Sequence, residues 1–146
     1  MCIRDSLAWD LNLDRAVAIR EYMPTHLCSR VTDQLAVLAH SGEDQVHFTH
    51  GMHAFLDEAR RLAGFSNHPG VVSVTDSAQA NGTAYMVMAS LQGITLQAYL
   101  ERQGGRVPFK LALSILMPVM DTLRELHAAA FPVSYTHLDV YKRQRP

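Results

Sequence analysis

Apolar positions along the chain repeat first at two-residue spacing and later at three- and four-residue spacing, which predicts strands followed by helices. Ala16 to Tyr22 alternates apolar and charged residues like a half-buried strand, and Leu7 to Asp10 reads as the end of a preceding one. Between them, Asn12 and Asp14 are turn formers, so the pair makes a hairpin. Met23-Pro24 closes this region, because proline cannot donate to a ladder. Residues 25–50 are polar and irregular, with room for a short strand around Leu35 to Leu38. A helix is predicted from near Met52 to Gly64, with Phe55, Ala59 and Leu62 as its inward stripe and Glu58 inside that stripe. Val71 to Val74 and Thr83 to Met88 read as strands; Asp76 to Gly82 is a polar turn, ending in the hairpin signal Asn81-Gly82. Thr95 caps a short helix from Leu96 to about Gln103, stopped by Gly104-Gly105. Pro108 opens a long helix whose stripe is Phe109, Ala112, Leu113, Leu116, Met120, Leu123 and His127. Pro118 interrupts it, and His127 is read as a packed core histidine rather than a catalyst.

Two features of this pattern carry candidate chemistry. Arg20 leaves its strand on the Ala18 face, and Glu58 lies on the buried stripe of the following helix. A carboxylate there is costly unless paired, and Arg20 is the natural partner; the competing reading puts each group at the edge of its element, reaching water. The spacing His47-x-x-His50-x-x-His53 would place three imidazoles on roughly one side of a helix, but Gly51 breaks the helical pattern between them. No cysteine lies near, and nothing beside them supplies the hydrogen-bonding support that metal-ligating histidines have, so they are read as loop histidines and no metal site is assigned.

The two ends read differently from the middle. The DNA word GAT-GTG-TAT-AAG-AGA-CAG encodes Asp139-Val140-Tyr141-Lys142-Arg143-Gln144. Shifted by one base it encodes Met1-Cys2-Ile3-Arg4-Asp5 and the start of Ser6, and its reverse complement gives Val133-Ser134-Tyr135-Thr136-His137. This word resembles the transposase adapter end used in sequencing libraries. Residues 1–6 and 132–146 are therefore read as adapter-derived and carry no weight for fold or function. Met1 then says nothing of a true start, nor Phe131 of a true end. The whole chain carries 13 Lys+Arg against 14 Asp+Glu; without Arg4, Lys142, Arg143, Arg145, Asp5 and Asp139 the balance is 9 against 12, slightly acidic. Nothing in it points to nucleic acid or a membrane surface as a partner. Without Cys2, Cys28 stands alone and makes no intramolecular disulfide, which fits a reducing, cytoplasmic setting. No apolar run is long enough to span a bilayer.

The order Val17-Ala18-Ile19-Arg20, Glu58 in a Phe-Leu-x-Glu-Ala-x-x-Leu helix, His68-Pro69-Gly70-Val71-Val72, then Thr83-Ala84-Tyr85-Met86-Val87-Met88 resembles the N-terminal lobe of a bacterial serine/threonine protein kinase. The resemblance runs from Leu7 to Phe131. It implies an α+β, truncated protein-kinase-like fold: an antiparallel N-lobe sheet with one packed helix, followed by two C-lobe helices. Residues 7–91 would be the N-lobe and hinge, and 92–131 the start of the C-lobe. The glycine-rich loop that covers the nucleotide phosphates would precede Leu7. By the same resemblance Arg20 and Glu58 align ATP phosphates, Met88 is the gatekeeper, the Ala89 carbonyl and Leu91 N–H meet the adenine edge, and Ala18 and Leu91 pack on the purine. The catalytic Asp and the Mg²⁺ ligands would lie beyond Phe131, so this chain alone is expected to be inactive.

Arg20 departs from the family's lysine. A guanidinium keeps the charge but is not interchangeable with an ammonium. Three readings follow: the parent is a pseudokinase, an active kinase that tolerates the change or supplies a lysine from elsewhere, or the position is a sequencing error. Ala130 departs too, standing where glycine is usual.

Overall fold

The computed structural model describes residues 3–31 and 34–131. Met1, Cys2 and the adapter-like segment 132–146 lie outside the described residues. The chain divides into two units, residues 1–92 and 93–146.

The first unit is built on an antiparallel four-stranded sheet with the order β1-β2-β6-β5. β1 (Ile3–Asp10) and β2 (Arg15–Tyr22) form the expected hairpin. Asp10 closes its turn by accepting from the N–H groups of Asn12 and Leu13, and Asp14 takes the left-handed conformation at φ 49°. β5 (Val74–Ala80) and β6 (Thr83–Ala89) form the second hairpin. Asn81 and Gly82, at φ 52° and 73°, make the two-residue turn that this dipeptide favours. The strand before it starts later than the sequence suggests. Val74 to Ala80, largely read as a turn, is the paired element; its polar, mostly exposed residues suit an edge strand.

α1 (Glu43–Ala63) begins about nine residues earlier than the pattern predicts. Gly42 turns the chain in at φ 74°, and Glu43 and Asp44 place negative charge in the first turn while Arg60 and Arg61 end the helix, which suits its dipole. Phe48, Phe55 and Ala59 are its buried face. They close on Tyr22, Val74, Ala84, Met86 and Met88 to form the core. The Tyr22 ring lies 5.2 Å from Phe48 and 5.8 Å from Phe55, in tilted pairs. Gly51 sits inside this helix because the Tyr22 hydroxyl occupies the space a Cβ would need. The 24–40 connection holds a two-stranded ribbon, β3 (Cys28–Arg30) with β4 (Val37–Ala39). Only the second strand was expected. Val37 N–H donates to the Asn81 carbonyl at 2.8 Å, which ties the ribbon to the β5–β6 turn.

The second unit holds α2 (Leu96–Arg102) and α3 (Phe109–Ala128). Thr95 caps α2, accepting from Ala98 N–H at 3.1 Å. α3 runs unbroken through Pro118, and Thr122 Oγ1 donates to the Pro118 carbonyl at 2.8 Å. Its buried residues are Thr122 and Leu126, not His127, which is exposed. Phe109, Leu113, Leu116 and Met120, most of the expected stripe, face solvent. The buried side of α3, at Thr122 and Leu126, is rotated by about one residue from the predicted stripe.

Candidate functional site

Register decides which residues share a face of the sheet. In an antiparallel pair, residues directly opposite point the same way, as do residues two apart on one strand. Asp5 lies opposite Arg20 and Leu7 opposite Ala18 across β1–β2. Ala18 lies opposite Met88 and Arg20 opposite Met86 across β2–β6. Asp5, Leu7, Ala18, Arg20, Met86 and Met88 therefore form one face, the face that carries the core. α1 covers its β5–β6 side, where Met86 and Met88 are buried. The β1–β2 side is left open: Ala18 and Arg20 are half-buried and Leu7 is exposed.

Arg20 and Glu58 do not pair. The Arg20 Nε donates to Asp5 Oδ1 at 3.0 Å and its Nη2 to Oδ2 at 3.4 Å, a two-pronged contact. Glu58 is half-buried on α1 and enters no ion pair among the described residues. The physical reason is register. β1 extends back to Ile3, which sets Asp5 directly across from Arg20.

Past β6 the backbone is differently committed at each position. Ala89 N–H donates to the Ser73 carbonyl at 2.9 Å. Leu91 N–H has no backbone acceptor among the described residues, and the Leu91 side chain is 73% exposed. Met88 belongs to the core, as a gatekeeper or a plain core residue equally would.

The opposite face of the sheet carries a second ion pair that the sequence reading missed. Glu21 is buried and pairs with Arg30 from β3, whose other terminal nitrogen donates to the Leu35 carbonyl. The hydrogen bond to Glu21 is the main cause that holds the Arg30 guanidinium above its ordinary range, with Tyr85 adding to it against the desolvation of the group. Arg30 Nε is buried and has no partner among the described residues. The available signal was Glu21 itself: a carboxylate inside a predicted strand demands a cation, and Arg30 follows within the same irregular stretch. Burial, and then the nearby Cys28, push the Tyr22 hydroxyl above its usual range.

His47, His50 and His53 lie on α1 rather than in a loop, and all three are exposed. Among the described residues no group of three or more His, Cys, Asp or Glu side chains is placed to hold a metal ion. No described helix is long and apolar enough to cross a membrane.

No protein-family model matches the chain. It is 40% identical over 91 residues to Serine/threonine-protein kinase PknA of Mycobacterium tuberculosis, and equally to the protein of that name in Mycobacterium bovis. Each alignment covers 59% of this chain and 20% of the relative, so the chain spans about a fifth of the length of the curated relatives it matches. Among solved structures it is similar to one described as PpkA-294, apo form, with a TM-score of 0.75 and 34% identity, over 86% of this chain and 44% of that chain.

Proposed function

From a chain homologous to bacterial serine/threonine-protein kinases and folded like a truncated protein kinase, we propose a piece of a catalytic domain whose parent transfers the γ-phosphate of ATP to serine or threonine hydroxyls of a protein substrate. The observation that carries this reading is the half-open sheet face on which Arg20 stands beside Ala18 and in register with the Met86–Met88 strand. Its chemistry suits ATP. Arg20 supplies a cation for phosphate oxygens, Ala18 is small enough to lie under a planar ring, and the exposed Leu91 offers an apolar side chain and an uncommitted N–H. Met88 and the Ala89 carbonyl complete the proposed purine contacts. Residues 7–91 are then the N-lobe and hinge and 92–131 the opening of the C-lobe, with adapter-derived ends.

Phosphoryl transfer rests on positioning and charge neutralisation, to which bound Mg²⁺ contributes by neutralising the phosphates. Among the described residues no group of three or more His, Cys, Asp or Glu side chains is placed to hold that ion. The catalytic carboxylate of the family likewise has no counterpart between Leu7 and Phe131. This chain alone is therefore read as inactive, and the parent as a cytoplasmic enzyme.

A second reading has its own observation. Arginine stands where the family has lysine, and among the described residues no ion pair joins it to Glu58. That arrangement favours a pseudokinase, a nucleotide-binding or scaffolding module.

Calorimetric titration with ATP and with adenosine, alongside a phosphotransfer assay, tests these readings. Both ligands are expected to bind and no phosphate to move. Absence of adenosine binding would overturn the nucleotide site, and turnover above a Glu58→Ala control would overturn the inactivity.

A further inference from the structure

We propose that Ser29 is an activated nucleophile, a covalent modification site for small electrophiles that carry a good leaving group on a carbonyl carbon or on phosphorus. The inference is independent of the nucleotide reading and concerns the ribbon at the entry to α1. Ser29 is an exposed position of β3, directly opposite Leu38 of β4. His40 lies two residues beyond Leu38, and its N–H donates to the Leu27 carbonyl at 2.8 Å, which carries the ladder one step past the strand. Such a diagonal pair is within reach of a long or aromatic side chain. Ser29 Oγ and His40 Nε2 are 2.8 Å apart. Gly42 then turns the chain into α1 at φ 74°, and Asp44 in the first turn comes back to His40, with its Oδ2 3.9 Å from Nδ1.

Hydroxyl, imidazole and carboxylate thus stand in the order that activates a serine: a nucleophile beside a base, and the base oriented by a third group. Asp44 favours the tautomer with its proton on Nδ1, so that Nε2 accepts from the Ser29 hydroxyl. The Asp44 contact is longer than a hydrogen bond, and the His40 and Asp44 side chains are 41% and 45% exposed. Water is therefore not excluded, and activation stays below that of an enclosed site. The hydroxyls of Ser66 and Ser114 donate to backbone carbonyls instead, which makes them internal controls. In the reaction Ser29 Oγ forms a bond to the electrophilic carbon or phosphorus, and the leaving group departs with its bonding electron pair. The Ser29 proton passes to His40 Nε2, and the imidazolium so formed faces Asp44.

The test is a time course of the full chain with diisopropyl fluorophosphate, whose leaving group is fluoride, read by mass spectrometry of its peptides. Ser29 is expected to be labelled about tenfold faster than Ser66 or Ser114, and to lose that lead in denaturant. His40→Gln should slow labelling of Ser29 about tenfold, short of the usual general-base effect because the site is open. Asp44→Asn should slow it about two- to fivefold, the size of an exposed ion pair. Far-UV circular dichroism confirms that each variant is folded. Even labelling of the three serines, a lead that survives denaturant, or a Ser29 rate untouched by His40→Gln overturns the proposal. Should His40→Gln unfold, an unchanged rate in Asp44→Asn overturns it instead.

Discussion

Gly51 occupies the middle of a helix of 21 residues, where glycine ordinarily costs about 1 kcal/mol relative to alanine. It persists because the Tyr22 hydroxyl lies where its Cβ would be. Helix propensity and close approach therefore pull in opposite directions at one position, and close approach wins. Gly51→Ala is expected to destabilise the chain by about 1–3 kcal/mol, the usual range for overpacking, despite the better helix former. In a Tyr22→Phe background the overlap with oxygen is gone, and the same substitution should cost markedly less. Chemical denaturation of the four members of this cycle measures the coupling. Additive effects would mean that the helix moves away from the strand and that the tyrosine does not set the glycine. The Arg20 reading failed for a related reason. Glu58 was a sound choice of partner by burial, but which acid reaches Arg20 is settled by strand register, and the composition of two separate segments does not encode it.

At the scale of elements, the end of α3 explains a residue that the sequence marks as unusual. Ala130 takes φ 53°. Its N–H donates to the His127 carbonyl at 3.0 Å, and Phe131 N–H donates to Leu126 at 2.9 Å, the paired bonds of a left-handed helix stop. An L side chain in that region costs about 1 kcal/mol or more, which glycine avoids. Ala130→Gly should therefore stabilise the second unit by about 0.5–1 kcal/mol, net of the added freedom of the unfolded chain. Thermal unfolding monitored through α3 checks this; a lower midpoint would show that the strain is absent. Where local chemistry dominates, the elements were legible: both hairpins, the Thr95 cap, the Gly64 stop and the apolar strand β6 follow from residue type and spacing. The start of α1 was not legible, because Gly51 and the polar run from Glu43 to His50 resemble a loop until Tyr22 and Phe48 are seen in contact. β5 was displaced for a similar reason. An edge strand needs little apolar alternation, and Thr75 to Ala80 has almost none.

The whole molecule is unequally built. All of the clustered core, from Tyr22 to Met88, belongs to the first unit. The second has two buried residues on its long helix and a row of exposed apolar ones, including Phe109, Leu116 and Met120. Stability follows buried apolar area, so the first unit should hold most of it, while an uncovered apolar row invites association. A chain ending at Gln92 is therefore expected to keep one cooperative unfolding transition, with a midpoint within about 5 °C of the full chain, a shift of roughly 1 kcal/mol for a unit of this size. It should also bind less of a hydrophobic dye and stay monomeric to higher concentration. Loss of the transition would mean that Phe55, Met86 and their neighbours need residues beyond Gln92 to stay packed. In that case the sheet face that carries Ala18 and Arg20 would not be a self-standing platform. The nucleotide contacts proposed for it would then have to be sought in the full chain rather than in the first unit alone.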